Sequence, residues 1–213
     1  MCTRYESVIS TEYGVLPYII DPEQILSDKK VILYIDDIYY KKGYYAQGGT
    51  MPFHKFFNLK NTIVLKFRNG KVLKSIREHY KIKKEEYEHF ISIGKPDIYQ
   101  IYGTNELSNG DILEDPKDLA HFLSIKDKTR CFGTGFVNNA TSNGEMLIFD
   151  DNSLSKKVDL VCKDECCEKL SEGYLSHLKH TKEINFKVFL NLHNYFQLEK
   201  YIRYVHSVNE RVE

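Results

Sequence analysis

The chain has 213 residues with 30 basic and 30 acidic side chains, so its formal net charge is zero. That balance argues against a protein whose main task is to coat nucleic acid or an anionic membrane, since both draw on excess positive charge. Hydrophobic residues at 42% and charged residues at 28% exclude a disordered chain and fit one globular domain over residues 1–213, with any subdivision falling near 103–115.

There are 16 Tyr, 12 Phe and no Trp. Tyrosine carries a polar tip on an apolar ring, so some of these belong at the core edge or on a contact surface. Lys outnumbers Arg 24 to 6, and Ile, Asn and Tyr are abundant. All four favoured residues have AT-rich codons, which points to an AT-rich genome such as that of some viruses, phages or low-GC bacteria. No apolar run reaches the ~18–20 residues of a membrane span. The start, MCTRYESVIS, lacks the apolar core of a signal peptide. The five cysteines (Cys2, Cys131, Cys162, Cys166, Cys167) are odd in number and three are clustered. Reduced thiols in a soluble, intracellular and cytoplasmic protein are expected.

In chain order, residues 13–20 read as an extended edge, with Pro17 barring a central strand. Residues 22–29 suit a short helix behind Asp21. VILYIDDIYY (31–40) reads as a strand, and Lys41-Lys42-Gly43 as a turn into a hairpin. Residues 51–60 are an aromatic connector. TIVLKF (62–67) is a strand, and Asn69-Gly70 predicts a hairpin back through 71–74. Ser75 to Glu78 forms a capping box, and a second helix runs from Lys84 to a stop at Gly94-Lys95-Pro96. DIYQIY (97–102) is a strand and 103–114 a surface loop. Asp115-Pro116 caps a helix running to Ile125. TRCFGTGFV (129–137) and EMLIFD (145–150) read as a hairpin through Asn143-Gly144, with 157–162 as a further strand. Asp164 opens a helix bearing Leu170, Tyr174 and Leu178. EINFKVFLN (183–191) alternates as a strand, and a helix covers 195–207. Hairpins followed by alternating helices and strands predict an α+β fold, with a mixed or mainly antiparallel sheet and helices packed largely on one face.

Several constellations could carry chemistry. Cys162, Cys166, His177 and His180 make a zinc candidate, because thiolates and imidazoles supply a tetrahedral set; no other cofactor is expected. Cys2 becomes a terminal nucleophile if Met1 is removed. Cys131 in TRCFGTG is a thiol needing a histidine partner. Asp150, in Asp150-Asp151, is a carboxylate at a strand end that could do acid–base work, as is the Asp36-Asp37 pair. Asp97, Asp115 and Lys117 superficially spell a nuclease-like site, but a helix start places them wrongly. Gly133-Thr134-Gly135 lacks the following helix and Lys of a phosphate loop.

Residues 75–93 have the outline of a helix-turn-helix DNA-binding segment. Lys81 stands where glycine usually turns the chain, and Glu85, Glu86 and Glu88 would face phosphates, so nucleic acid is not the expected partner. The favoured expectation is a non-enzymatic binding or regulatory protein that recognises another protein through a Tyr- and Phe-bearing face. The alternative is a hydrolase whose site is assembled from scattered His, Asp, Cys and Lys residues.

Overall fold

The structure is a computed structural model that describes residues 6–11, 29–39, 51–68, 82–126, 129, 131–157, 167 and 171–209. Its centre is a curled, all-parallel six-stranded sheet, which overturns the mixed or mainly antiparallel sheet expected from the sequence. The strands are β1 (Glu6–Ser10), β2 (Val31–Tyr34), β3 (Ile63–Lys66), β4 (Ile98–Tyr99), β5 (Leu113–Glu114) and β6 (Cys131–Gly133), in the spatial order β4-β3-β2-β1-β6-β5. The physical reason is legible in β2 and β3: every residue of both is buried. A strand covered on both faces reads as a continuous apolar run, the mark of a parallel sheet. β3 pairs in parallel with β2 on one side and β4 on the other, so neither edge is left for the hairpin predicted at Asn69-Gly70, whose return lies outside the described residues.

The strands alternate between a concave and a convex face. Val8, Ile32, Val64, Leu113 and Cys131 fill the concave interior. On the convex side, Leu33, Ile63 and Leu65 pack against α1 (Ile35–Ile38), α2 (Phe53–Phe57) and α3 (Lys84–Gly94). Ile9 and Phe132 pack against α4 (Leu119–Ile125), α5 (Gly135–Ser142) and the long α7 (Ile184–Asn209). On a flat sheet β3 and β5 would stand four strand spacings apart, about 19 Å at ~4.8 Å each. Here Lys66 Nζ lies 2.7 Å from Leu113 O, so the curl brings β5 around to face β3. Two isolated bridges, Gln100 to Leu107 and Glu106 to Ile112, knit the 100–112 segment across that gap.

Several local expectations change. The predicted strand 31–40 turns helical at Ile35, because Ile35 and Ile38 are buried one helical turn apart. The loop at 103–114 supplies β5. The predicted strand 129–137 stops at Gly133, and α5 begins at Gly135, so no hairpin joins it to 145–150. Instead β7 (Met146–Asp150) pairs antiparallel with β8 (Ser153–Lys157) through Asp151 and Asn152, both at positive φ as a two-residue hairpin turn requires. The alternating stretch 183–191 is the first part of α7. Its inward polar side chains explain why: they bond the open edge of β7. Leu147 N donates to Asn194 Oδ1 at 2.8 Å, Phe149 N donates to Gln197 Oε1 at 2.9 Å, and Leu147 O accepts from His193 Nε2 at 2.7 Å. A helix thus does the work of a neighbouring strand.

α6 (Glu172–His180) opens with Ser171, which accepts from Tyr174 N; the predicted cap Asp164 lies outside the described residues. α3 ends at Gly94, as predicted, but the left-handed residue is Lys95 (φ 46°), while Gly94 makes room for Phe53. Among the described residues, no helix is long and apolar enough to cross a membrane.

Candidate active site

Because all six strands run the same way, their last inward-facing residues meet at one end of the curl. Ser10 ends β1, Tyr34 ends β2, Lys66 ends β3, Asp115 follows β5, and Gly133 ends β6. Each stands two residues beyond an interior apolar residue: Val8, Ile32, Val64, Leu113 and Cys131 respectively. They form one polar layer capping an apolar interior.

Lys66 is nine-tenths buried, and its ammonium donates to Asp115 Oδ2 at 2.6 Å as well as to Leu113 O. Tyr34 Oη lies 3.1 Å from Asp115 Oδ1 and 3.3 Å from Ser10 Oγ. A phenol has one proton and a carboxylate can only accept, so Tyr34 donates to Asp115 and its oxygen accepts from Ser10. Burial, reinforced by the Asp115 charge, pushes the Tyr34 hydroxyl well above the ordinary tyrosine range and keeps that proton in place. Gly133 is what allows the carboxylate in: a β-carbon there would meet Asp115 Oδ1 at 2.1 Å and Ser10 Oγ at 3.0 Å.

A second tier stands on the first. The Arg68 guanidinium lies 4.0 Å from the centre of the Tyr34 ring and is ion-paired with Asp37. Arg68 N donates to Asp36 Oδ2 at 2.7 Å, and burial raises the Asp36 carboxyl above its usual range. Asp36 and Asp37, expected at a strand end, lie instead on α1 as partners of Arg68. Gln100, 1% exposed, accepts from Phe67 N and donates to Thr104 O. Between β3 and the 100–115 segment lies a cleft of ≈ 200 Å³, lined by Lys66, Arg68, Gln100, Asn105, Leu113 and Asp115 among others.

Behind Ser10 a buried network fixes the junction of β1 and β6. Ser10 N donates to Thr134 Oγ1 at 3.0 Å, and Asn138 Nδ2 donates to Ser10 O at 3.2 Å. Tyr195 Oη lies 2.9 Å from Thr134 Oγ1 and 3.2 Å from Asn138 Oδ1. β1 leads on to β2 at one side, while β6 and β5 lie at the other. From β1 through β4, and again from β5 to β6, the chain steps across the sheet in the same direction, and the carboxyl ends of the strands lie together at one end of the curl.

The residues singled out in the sequence lie elsewhere. Cys131 is buried in the interior, its thiol among Val8, Ile32 and Leu113. Asp150 is exposed at the β7–β8 turn, where Oδ1 accepts from Asp151 N at 3.0 Å. Cys2, Cys162 and Cys166 lie outside the described residues. His177 and His180 are exposed on α6. His193 Nδ1, among the described residues, lies 3.3 Å from the Sγ of Cys167, the neighbour of Cys166 in sequence. Among the described residues, no group of three or more His, Cys, Asp and Glu is placed to hold a metal ion. In α3, Glu86 accepts from Lys83 N at 3.0 Å and so belongs to the helix N-terminus; residues 75–81 lie outside the described residues.

Asp115 was read from the sequence as a helix cap. The cap is Asp118, which accepts from His121 N at 2.8 Å, and this releases Asp115 to the strand end. No protein-family model matches the chain, and no curated protein matches it.

Proposed function

We propose that the protein is an enzyme that performs acid–base chemistry on a small molecule bound in the cleft between β3 and the 100–115 segment. One observation carries this reading: four strands deliver Ser10, Tyr34, Lys66 and Asp115 into one hydrogen-bonded group beside that cleft. A curled parallel sheet places its ligand site at the carboxyl ends of its strands, an analogy of fold that agrees with where this group lies. Asp115 takes a proton from the bound substrate or from an attacking water. Lys66 balances the carboxylate's charge and Tyr34 orients it. The hydrolase anticipated from the sequence is one member of this class, assembled from Asp, Lys and Tyr rather than from His and Cys.

The test is a turnover assay on a mixture of small esters, amides, aldehydes and ketones, followed by mass spectrometry. General-base catalysis contributes about 10²–10⁴-fold, so Asp115→Asn reduces turnover by at least about 100-fold while Asp150→Asn leaves it unchanged. Absence of turnover by the wild-type protein, or full activity in Asp115→Asn, overturns the reading.

A second reading, a non-enzymatic module that binds a protein partner through an aromatic face, has its own observation. Tyr87, Ile91, Tyr99, Ile101 and Tyr102 line a groove of ≈ 600 Å³ beside α3. We rank it second because two of its tyrosines direct their hydroxyls inward: Tyr87 donates to Gln100 O and Tyr102 donates to Ile82 O, both at 2.6 Å. No turnover of any of these substrates by the wild-type protein would favour this reading.

A further inference from the structure

We infer that Lys66 is a covalent catalytic residue that forms a Schiff base with an aldehyde or ketone entering the cleft; this rests on the proposal that the cleft is the active site. Lysine is an unusual choice for the inward end of a buried strand, because a long charged side chain normally reaches for solvent. Lys66 points the other way. Its side chain retains 11% of its exposure, and it lines the cleft that reaches it. Two of its three ammonium protons have protein acceptors, Leu113 O and Asp115 Oδ2. The third has none among the described residues and is available to a carbonyl oxygen.

The neighbours supply what imine formation requires. A lysine attacks only as the free amine, so its ammonium proton must leave, and Asp115 Oδ2 at 2.6 Å is positioned to take it. Nζ then bonds to the carbonyl carbon as the carbon–oxygen π bond opens to an alkoxide, and one of the two nitrogen protons passes to that oxygen, leaving a hydroxyl and a nitrogen lone pair. Asp115 returns the proton to that hydroxyl, which departs as water as the nitrogen's lone pair forms the iminium. The balance is an ammonium and a carbonyl giving a protonated imine and one water. Tyr34, on the other carboxylate oxygen, holds Asp115 in line through both transfers. The cleft's ≈ 200 Å³ suits a compact carbonyl compound.

Cyanoborohydride trapping tests this, with pyruvate and dihydroxyacetone as separate probes and adducts located by peptide mass spectrometry. The expected result is a reduced adduct on Lys66 at carbonyl concentrations that leave surface lysines such as Lys179 unmodified. Asp115→Asn should slow trapping at least about tenfold. Lys66→Arg keeps the positive charge and should lose the adduct. Adducts spread over surface lysines with none at Lys66, or no trapping with either probe, overturn the inference. Turnover of esters or amides that depends on Asp115 but survives Lys66→Arg would overturn it too, and would leave the acid–base reading standing.

Discussion

Asp115 occupies the space in which a side chain on Gly133 would begin. Asp115 follows β5 and Gly133 ends its paired neighbour β6, and a β-carbon at Gly133 would sit 2.1 Å from the carboxylate. Gly133→Ala must therefore displace Asp115 from Lys66 and Tyr34. We expect a loss of stability of about 1–3 kcal/mol, as for other overpacked sites, and a loss of turnover resembling that of Asp115→Asn. Gly135→Ala is the matched control: its β-carbon would meet only Ser10, at 3.7 Å or beyond. That change should stabilise by about 0.4–1 kcal/mol by restricting the unfolded chain. Thermal melts of both variants check the pair, and equal effects would contradict the geometry.

The end of α3 gives a second pair. A β-carbon on Gly94 would fall 2.2–2.8 Å from the Phe53 ring. Gly94→Ala should cost about 1–3 kcal/mol through that contact. Lys95 holds the left-handed conformation that glycine adopts without a steric penalty. Lys95→Gly should be neutral or stabilising by up to about 1 kcal/mol, since left-handed strain is of that order. Urea titration of the two variants should show shifts of opposite sign.

How far the fold was legible follows from such details. α3, β3 and the later part of α7, from Tyr195 on, carry clear signals, and the structure has them where the periodicity puts them. The parallel sheet was also written in the sequence, in VILY and IVL, runs too apolar for a strand with one wet face. Asn69-Gly70 and Asn143-Gly144 outweighed that signal because their turn chemistry is strong locally. The earlier part of α7 was obscured by its function in the fold: Asn191, His193 and Asn194 face inward to bond neighbouring groups, which interrupts the apolar stripe of a helix. The polar layer was hidden for a different reason. Asp115 and Lys66 are 49 positions apart in sequence and meet only because the sheet curls, and β5 is two residues long, too short to show a period. The one local clue is a Lys ending an otherwise apolar strand.

Alkaline unfolding should follow the buried tyrosines. Burial is the main cause that raises the hydroxyls of Tyr34, Tyr87 and Tyr195 above the ordinary value of 10.0. In the unfolded chain they ionise near that value, while in the folded chain they keep their protons. The unfolded state therefore binds fewer protons above pH 10, and stability present below pH 10 is lost as the pH rises toward the folded values. Each such phenol adds about 1.4 kcal/mol per pH unit to the slope. Tyr195→Phe should make the decline shallower by about that amount, measured as urea stability between pH 9.5 and 11.5. An unchanged slope would contradict the assignment.

The edge of β7 predicts a site-specific pattern of amide protection. Asn194→Ala leaves Leu147 N without its acceptor and should cost about 1–3 kcal/mol. Gln197→Ala should do the same at Phe149 N. Hydrogen exchange should show protection lost at Leu147 in the first variant and at Phe149 in the second. Loss at both amides in either variant would mean that the ribbon opens as a unit.

β1 comes first in the chain among the six sheet strands, yet it lies in the middle of the sheet, between β2 and β6. During translation, β1 to β4 can pair once residue 99 has emerged, because each neighbour follows the last. The other edge of β1 stays unoccupied until residue 131 has been made, and Val8, Ile32 and Val64 lack Leu113 and Cys131 over them. The nascent chain therefore passes through a half-sheet with an open hydrogen-bonding edge and an uncovered apolar hollow, a species prone to pairing with other chains. Closing that hollow is also what first brings Asp115 to Lys66, so the polar group at the strand ends cannot form until both halves of the sheet have been made.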